Sequence, residues 1–420
     1  MTDEVSDNNF LTKCQVTVEP FAILDGQTLR ESFGCSVQTR MLLPAIALSG
    51  LLSSGCVYAR IFYYNTPTLS AAEYFDRRAV HAAPSAAPLP SDGTESVFRL
   101  TDAERRKYRS FDDMLEANGT RAFLVVRDDH VVYERYFHGV TEKTLLPDFS
   151  ISKTYAALLV GCAVADHLLG PVDQSLVSYV PDLASKPGYA AITIEELLRM
   201  TSGIDFVEES VAGAVLYYSF DLPEHTYAYD VKWTPGTHYL YGSISTQILW
   251  DLLRRRLGGR TVSRYFEERL WRPLGAEHDA AWSLDSASSG VEKFFGGFAA
   301  TARDHARLGL LFLHGGSLDG REIVPQSWVN ESLSPDPVAG EVHTTDGWVR
   351  RGKYQWFLTD DGRAYFAKGY HGQYVFVVPA AHMVIVRFGE GYGEVDWSAL
   401  FMRLASRPAG SVASVDATRR

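Results

Sequence analysis

Short runs of hydrophobic residues lie near both ends of the main part of the chain. Residues 123–127 and 131–136 are rich in β-branched and aromatic side chains and flank the polar residues 128–130. Two such runs around a short polar turn predict a β-hairpin. Comparable runs return at 354–358, 364–366, 373–378 and 383–388. The pattern therefore predicts strands at both ends of one domain.

Between these strands the hydrophobic positions follow a helical pattern. Residues 153–169 are apolar at almost every position, with Gly161 but no proline, which predicts a buried helix. Thr193, with Glu196 three residues later, predicts a second helix that starts with a capping box. An amphipathic helix is expected at 395–405. These elements indicate an α/β (α+β) fold, in which helices flank one antiparallel sheet and a mostly helical region is inserted between its two halves.

The first hundred residues have a different pattern. Residues 41–59 carry no charge and are about long enough to cross a bilayer, so they predict a membrane anchor or a signal segment, with a buried core helix as the alternative. An anchor or signal would place the domain outside the cytoplasm, and a core helix would leave it cytoplasmic. The Ala-, Pro- and Ser-rich stretch from His81 is typical of a linker or arm. The expected organisation is a tail at 1–40, the apolar segment at 41–59, a linker at 60–95, a folded domain at 96–408 and a disordered tail at 409–420.

Composition narrows the function. The chain of 420 residues has a net charge of −11 and no basic stripe, so nucleic-acid binding is not favoured. Its four cysteines show neither zinc-site spacing nor a disulfide framework, and HExxH is absent. Phosphate-binding and dinucleotide-binding glycine motifs are absent as well. We therefore expect no cofactor and no metal, and we expect Cys162 to be a small core residue.

A candidate nucleophile opens the predicted buried helix. Ser150 and Lys153 form the single Ser-x-x-Lys of the chain, and residues three apart share one helical face. At a helix start, unpaired N–H groups favour developing negative charge. A neutral lysine amine can take the serine proton, and burial favours that neutral form. For this motif alone, a serine N-cap followed by a surface lysine is the alternative.

Two further motifs follow along the chain. A Pro235-Gly236 turn precedes Tyr241, whose phenol beside a lysine could pass protons to a leaving group. Tyr241 acting only as a wedge between helices is the alternative. Gly369 to Gly372 open a strand, where glycines let a substrate lie against the backbone and an N–H could join that of Ser150 in an oxyanion hole. The alternative there is a β-bulge with a surface histidine, His371.

The order of these motifs resembles the penicillin-recognising (β-lactamase-like) superfamily, which includes class C β-lactamases, D,D-peptidases and related esterases. Residues 197–203 and 296–309 are similar to its LLxHTSG and GG…TARDLARFG stretches. Over about 115–405 the chain looks most like 6-aminohexanoate-dimer hydrolase-like proteins. The resemblance implies a β-lactamase/transpeptidase-like fold, with Ser150 as nucleophile, Lys153 as base and Tyr241 as proton donor. It implies substrate or oxyanion contacts at Ser243, Gly369, Tyr370, His371 and Gly372.

Two departures from the family pattern shape the expected activity. Ser243 stands where β-lactamases and peptidases usually have Asn, and there is no Lys-Thr-Gly, although Lys368 precedes Gly369. We therefore expect a serine hydrolase that acts through an acyl-enzyme on a small-molecule ester or amide. A β-lactamase or D,D-carboxypeptidase is the first alternative, and a non-catalytic penicillin-binding-like sensor or scaffold is the second.

Overall fold

The computed structural model of the protein describes residues 57–91, 98–344 and 347–406. The predicted tails and residues 41–56 of the apolar segment lie outside these ranges. Within them, no helix combines the length and the hydrophobicity needed to cross a bilayer. The anchor and the extracytoplasmic location therefore stay predictions.

The strands of the described residues form two antiparallel sheets and one short hairpin. In chain order they are β1 (Arg77–Val80), β2 (Thr120–Arg127), β3 (His130–Tyr136), β4 (Leu146–Pro147), β5 (Ala280–Ser283), β6 (Phe298–Ala300), β7 (Ser317–Leu318), β8 (Arg321–Glu322), β9 (Glu341–Thr344), β10 (Gly347–Arg351), β11 (Phe357–Thr359), β12 (Tyr365–Gly369), β13 (Gln373–Val378) and β14 (Met383–Gly389). The large sheet has the order β3-β2-β14-β13-β12-β11-β10-β9, and the small sheet has the order β1-β5-β6-β4. The hairpin consists of β7 and β8.

The large sheet joins the two ends of the domain, as the hydrophobic pattern predicts. β2 pairs with β3 and with β14, so that Val125 faces Tyr133 on one side and Ile385 on the other. Every residue of β13 and β14 is buried. Side chains of a strand alternate between the two faces of its sheet. Both faces here are covered, because alternate residues belong to two separate hydrophobic clusters.

The helices of the described residues cover this sheet and fill the predicted insertion. In chain order they are α1 (Val57–Tyr64), α2 (Asp102–Arg105), α3 (Phe111–Ala117), α4 (Ile151–Ala165), α5 (Ile194–Arg199), α6 (Val211–Tyr218), α7 (Leu222–Thr226), α8 (Ser243–Arg256), α9 (Val262–Phe266), α10 (Ala302–Leu313), α11 (Gln326–Leu333) and α12 (Trp397–Ala405). α10 and α4 share a core with one face of the large sheet, and α12 packs against the other face. The predicted α/β (α+β) architecture is confirmed.

The central helix α4 is buried from Ile151 to Ala163, and the prediction of a buried helix here is confirmed. Cys162 is a core residue of this helix, as expected. A side chain at Gly161 would place its Cβ 2.5 Å from the Trp328 ring, so only glycine fits there. The capping box predicted at Thr193 and Glu196 is present at the start of α5.

The expected linker over residues 60–95 is wrong for the described part, 60–91. β1 lies in this segment and pairs with β5, where Val80 faces Ala280 and is fully buried. The Arg60 guanidinium lies 3.9 Å from the centre of the Phe220 ring and is 8% exposed. The domain therefore does not begin at residue 96. The sequence suggested a linker because this segment has few long apolar side chains. Val80 is the one fully buried residue of β1.

Candidate active site

The backbone turns sharply just before the candidate nucleophile. Phe149 is buried and has a φ of 50°, which is strained for an aromatic residue. This turn joins β4 to α4 and puts Ser150 at the N-cap of the helix in a helical conformation. The Ser150 side chain caps no backbone N–H. The simple N-cap alternative is therefore wrong, and the hydroxyl is available for chemistry.

Lys153 is only 2% exposed, so the surface-lysine alternative is wrong as well. Its Nζ donates to Ser150 Oγ at 2.9 Å and to the Phe295 carbonyl oxygen at 2.8 Å. The first contact links the amine directly to the candidate nucleophile. The second holds the amine in place from another segment of the chain, just before Gly296 and Gly297. The sequence analysis did not predict a role for this carbonyl. Its one indication was that Phe295 directly precedes Gly296 and Gly297, which begin the family-like stretch 296–309.

Tyr241 joins this pair from the segment just before α8. The Lys153 Nζ lies 5.2 Å from the centre of the Tyr241 ring. Gly242, which follows Tyr241, is packed against Phe206, and an added Cβ would lie 3.1 Å from that side chain. The structure thus brings together the three residues on which the sequence analysis placed the chemistry.

The third motif lies against the backbone that precedes Ser150. An added Cβ at Gly369 would lie 2.1 Å from the carbonyl oxygen of Asp148, so the end of β12 can reach this backbone only as glycine. Lys368, the residue before it, directs its amine towards the rings of Tyr374 and Tyr392. Tyr374 belongs to the core on the sheet face opposite α4. Lys368 is therefore not the counterpart of the Lys-Thr-Gly lysine.

The Beta-lactamase family model matches residues 111–405. This chain belongs to the β-lactamase family. A 6-aminohexanoate-dimer hydrolase from Paenarthrobacter ureafaciens is 30% identical over 318 residues, which are 71% of this chain and 79% of the relative.

Solved structures show the same fold for this β-lactamase family member. A Bacillus anthracis protein with a provisional 6-aminohexanoate-dimer hydrolase assignment superposes with a TM-score of 0.68 at 22% identity, over 80% of this chain and 92% of that one. A family VIII carboxylesterase superposes with a TM-score of 0.56 at 17% identity, over 73% of this chain and 98% of that one. The expected β-lactamase-like fold is thereby confirmed.

Ser243, for which the β-lactamase family resemblance implies a substrate contact, is bound to an acidic side chain of this chain. Its N–H donates to Glu208 Oε2 at 2.6 Å, and its Oγ donates to Glu208 Oε1. Ser243 is 2% exposed, and Glu208 is the hydrogen-bond acceptor of its hydroxyl. Glu208 Oε1 also lies 4.0 Å from Lys153 Nζ. The sequence analysis missed Glu208, which belongs to no recognisable motif.

The residues after Gly369 form the rim of the site in this β-lactamase family member. His371 has a φ of 60°, and its ring Nε2 lies 2.9 Å from the Pro67 carbonyl oxygen. Burial lowers the pKa of His371. Tyr370 is half-exposed, and its ring lies 6.1 Å from that of Phe149. Tyr370 is therefore exposed beside the Phe149 turn, whereas His371 contacts the segment around Pro67.

Gly372 has a structural role in the turn that ends the third motif. It has a φ of 77°, and its carbonyl oxygen accepts a hydrogen bond of 2.6 Å from the buried Arg387. An added Cβ would lie 2.4 Å from Arg387 Nη1. The segment is thus a tight turn between β12 and β13, which differs from the β-bulge alternative.

Asp148 is a buried acid that the sequence analysis missed. One carboxyl oxygen accepts a hydrogen bond from Ser152 Oγ, and the other has no partner among the described residues. Burial raises the pKa of Asp148 well above its usual value. In the described parts of the chain, no three His, Cys, Asp or Glu side chains are grouped so as to hold a metal ion.

Proposed function

We propose that this protein is a serine hydrolase that cleaves an ester or amide bond of a small molecule through an acyl-enzyme at Ser150. The observation that carries this proposal is the 2.9 Å contact between Lys153 Nζ and Ser150 Oγ, made by a serine that caps no helix N–H. Membership of the β-lactamase family supports it. The 30% identical relative, named for hydrolysis of 6-aminohexanoate dimer, favours amides within this class.

Acylation starts with the Ser150 hydroxyl. In its neutral form the Lys153 amine takes the hydroxyl proton while Oγ attacks the carbonyl carbon. The backbone N–H of Ser150 and an N–H at residues 370–371 then bind the oxyanion. Preorganised donors of this kind stabilise the tetrahedral intermediate because they need no reorientation as charge develops.

The leaving group departs from the side of Tyr241. The proton taken by Lys153 passes through the Tyr241 phenol to the departing amine or alcohol. Water then attacks the acyl-enzyme by the reverse route, with Tyr241 and Lys153 accepting its proton. The cycle restores Ser150 and releases the acid.

Two observations favour an ester or amide over a β-lactam or a D,D-peptide. Ser243 stands at the position of the usual Asn, and its hydroxyl donates a hydrogen bond to Glu208. Lys368 directs its amine to Tyr374, on the sheet face opposite α4. β-Lactamases and peptidases usually have an amide donor and a cation at these two positions. In this chain, Ser243 and Lys368 do not supply these groups.

Fluorophosphonate labelling of the purified protein tests the proposal. We expect a single adduct on Ser150 and loss of labelling and of ester turnover in Ser150→Ala. Lys153→Ala should lose about 100-fold or more in turnover, the scale of a general-base contribution. The exposed Ser185→Ala and Lys143→Ala serve as matched controls and should behave as wild type.

The outcome also separates the alternatives. Near wild-type turnover in Lys153→Ala would refute the proposed mechanism. A chromogenic cephalosporin that turns over faster than a short acyl ester would favour the β-lactamase alternative. A long-lived adduct on Ser150 without turnover of any ester, amide or lactam would instead favour the sensor or scaffold.

A further inference from the structure

Exposed hydrophobic side chains are concentrated beside the proposed site. Among the residues that the structure describes, six large hydrophobic side chains are exposed. They come from α1, from the start of α6 with the residue just before it in the loop, and from the rim of the site: Tyr58, Phe62, Tyr63, Val207, Val211 and Tyr370. Single exposed hydrophobic residues are common in proteins, whereas a joined apolar patch usually marks a binding surface.

The segments that carry these side chains lie next to each other. α1 packs against α6, where the centres of the Tyr64 and Tyr218 rings are 6.1 Å apart. The loop after α1 reaches the rim of the site, since the Pro67 carbonyl oxygen lies 2.9 Å from Nε2 of His371, the neighbour of Tyr370. The six side chains therefore belong to one surface, the α1–α6 face, and this surface borders the site.

Both helices of the α1–α6 face lack outward charges. Residues 61–72 and 210–220 contain no Asp, Glu, Lys or Arg. Arg60, the one charged residue of α1, turns inwards. It is 8% exposed and donates to the carbonyl oxygens of Tyr218 and Tyr74 at 3.3 and 3.2 Å. A charge-free surface suits contact with lipid, where an unpaired charge is costly, better than it suits a protein interface, which usually has a polar rim.

The sequence that precedes α1 favours lipid over a second copy of the chain. Residues 41–56, which lie outside the described residues, carry no charge and join directly to Val57, the first residue of α1. Tyrosine and other aromatic side chains are enriched where a membrane meets water, and α1 exposes three aromatic rings. A lipid bilayer accounts for both the apolar segment and the aromatic helix after it, whereas a dimer interface accounts only for the helix.

We propose that the α1–α6 face docks on the surface of a lipid bilayer, with α1 lying in the interface between lipid and water. Phe62, which is 78% exposed, enters the acyl region, and the hydroxyls of Tyr58 and Tyr63 stay at the headgroups. Attraction to anionic headgroups contributes little, since α1 and α6 turn no cation outwards. The docked protein holds the rim of its site, at Tyr370, close to the lipid.

A fluorescent label on the face itself tests the proposal. The dye nitrobenzoxadiazole is attached to Phe62→Cys or to Val211→Cys in the full chain, in which the cysteines outside the described residues are changed to serine and the buried Cys162 is kept. When phosphatidylcholine vesicles are added, the emission of both labels should shift to the blue, and lipids with a nitroxide at the headgroup should quench it. Ala380→Cys is the matched control, because it is exposed at the end of β13 opposite the third motif, and its label should stay in water.

The label at position 211 separates docking of the face from simple attachment through residues 41–56, because α6 lies far from that segment along the chain. Quenching at only one of positions 62 and 211, or at neither, would overturn the proposal. So would labels that iodide in the water cannot quench before vesicles are added, since residues 41–56 or a second copy would then already cover the face. These signals do not depend on turnover, so a Ser150 that fails to react would defeat only the proposed function.

Discussion

Several serines in this chain stand at helix starts, and the backbone separates Ser150 from the others. Ser110 and Ser210 have extended conformations, and the side chain of each accepts a hydrogen bond from an N–H in the first helical turn. Ser150 instead has φ and ψ of −72° and −5°, because the strained Phe149 has already turned the chain. The hydroxyl therefore faces Lys153. A capping serine bonds to its own helix backbone, whereas the Ser150 hydroxyl accepts a hydrogen bond from the Lys153 amine.

Asp148 makes stability depend on pH. Because its pKa is raised on folding from about 3.8, the folded protein binds more protons than the unfolded chain as pH rises above 4. Stability from this group is present below pH 4 and declines as pH increases. In Asp148→Asn this decline is absent. The free energy of unfolding of the variant, relative to that of the wild type, should therefore increase between pH 4 and 7.

Denaturant unfolding at several pH values measures this difference. The exposed Asp173→Asn is the control, and its difference from wild type should stay constant. The new amide N–H₂ in Asp148→Asn lacks an acceptor, which costs about 1–3 kcal/mol, but this penalty does not vary with pH. Parallel pH curves for Asp148→Asn and wild type would contradict the prediction.

The sequence could predict the contacts that one helix makes within itself. Spacing of three residues brings Ser150 and Lys153 together whatever the rest of the fold does. Glu208 and the Phe295 carbonyl come from segments that meet the site only through tertiary packing. No local pattern marks them, so they emerge only from the structure.

At the scale of elements, glycine decides how closely β12 can approach α4. Periodicity predicted both elements, but it cannot show that the end of one strand lies against the backbone at the start of the helix. That approach depends on Gly369, where a Cβ would lie 2.1 Å from the Asp148 carbonyl oxygen. The obstacle is backbone and not a flexible side chain, so the strand end or the turn before Ser150 must move if a methyl group is added.

Gly369→Ala should therefore reduce ester kcat/KM by about 100-fold, since misplacing catalytic groups by about 1 Å has effects of that size. Gly362→Ala, in the turn of the same sheet, is the matched control. Gly362 has a φ of 69° and open space around it, so alanine there should cost about 1 kcal/mol of stability and leave turnover intact. Wild-type activity in Gly369→Ala would show that the strand edge does not form part of the reactive centre.

At the scale of the whole molecule, the segment that looked like a linker completes both the core and the rim of the site. Phe75 lies beneath the buried Lys293 amine, which is 4.5 Å from the ring centre. Burial lowers the pKa of Lys293 to about 7. The Pro67 carbonyl oxygen contacts His371 within the third motif. The sequence could not reveal this role, because these residues find their partners more than a hundred positions away and have no periodicity of their own.

A chain that starts at residue 98 should consequently fail to fold, whereas one that starts at 57 should unfold cooperatively. Removal of 57–91 takes away the buried Phe75, Val80 and Leu89, and large-to-small changes at single buried sites already cost about 2–5 kcal/mol. It also leaves Glu292 without Arg78, which lies 2.6 Å away. The summed loss approaches the whole stability of a typical domain. Circular dichroism and size-exclusion chromatography of the two chains measure the difference. Equal melting temperatures for the chains that start at 57 and at 98 would contradict the prediction. They would show that the domain folds fully without residues 57–91.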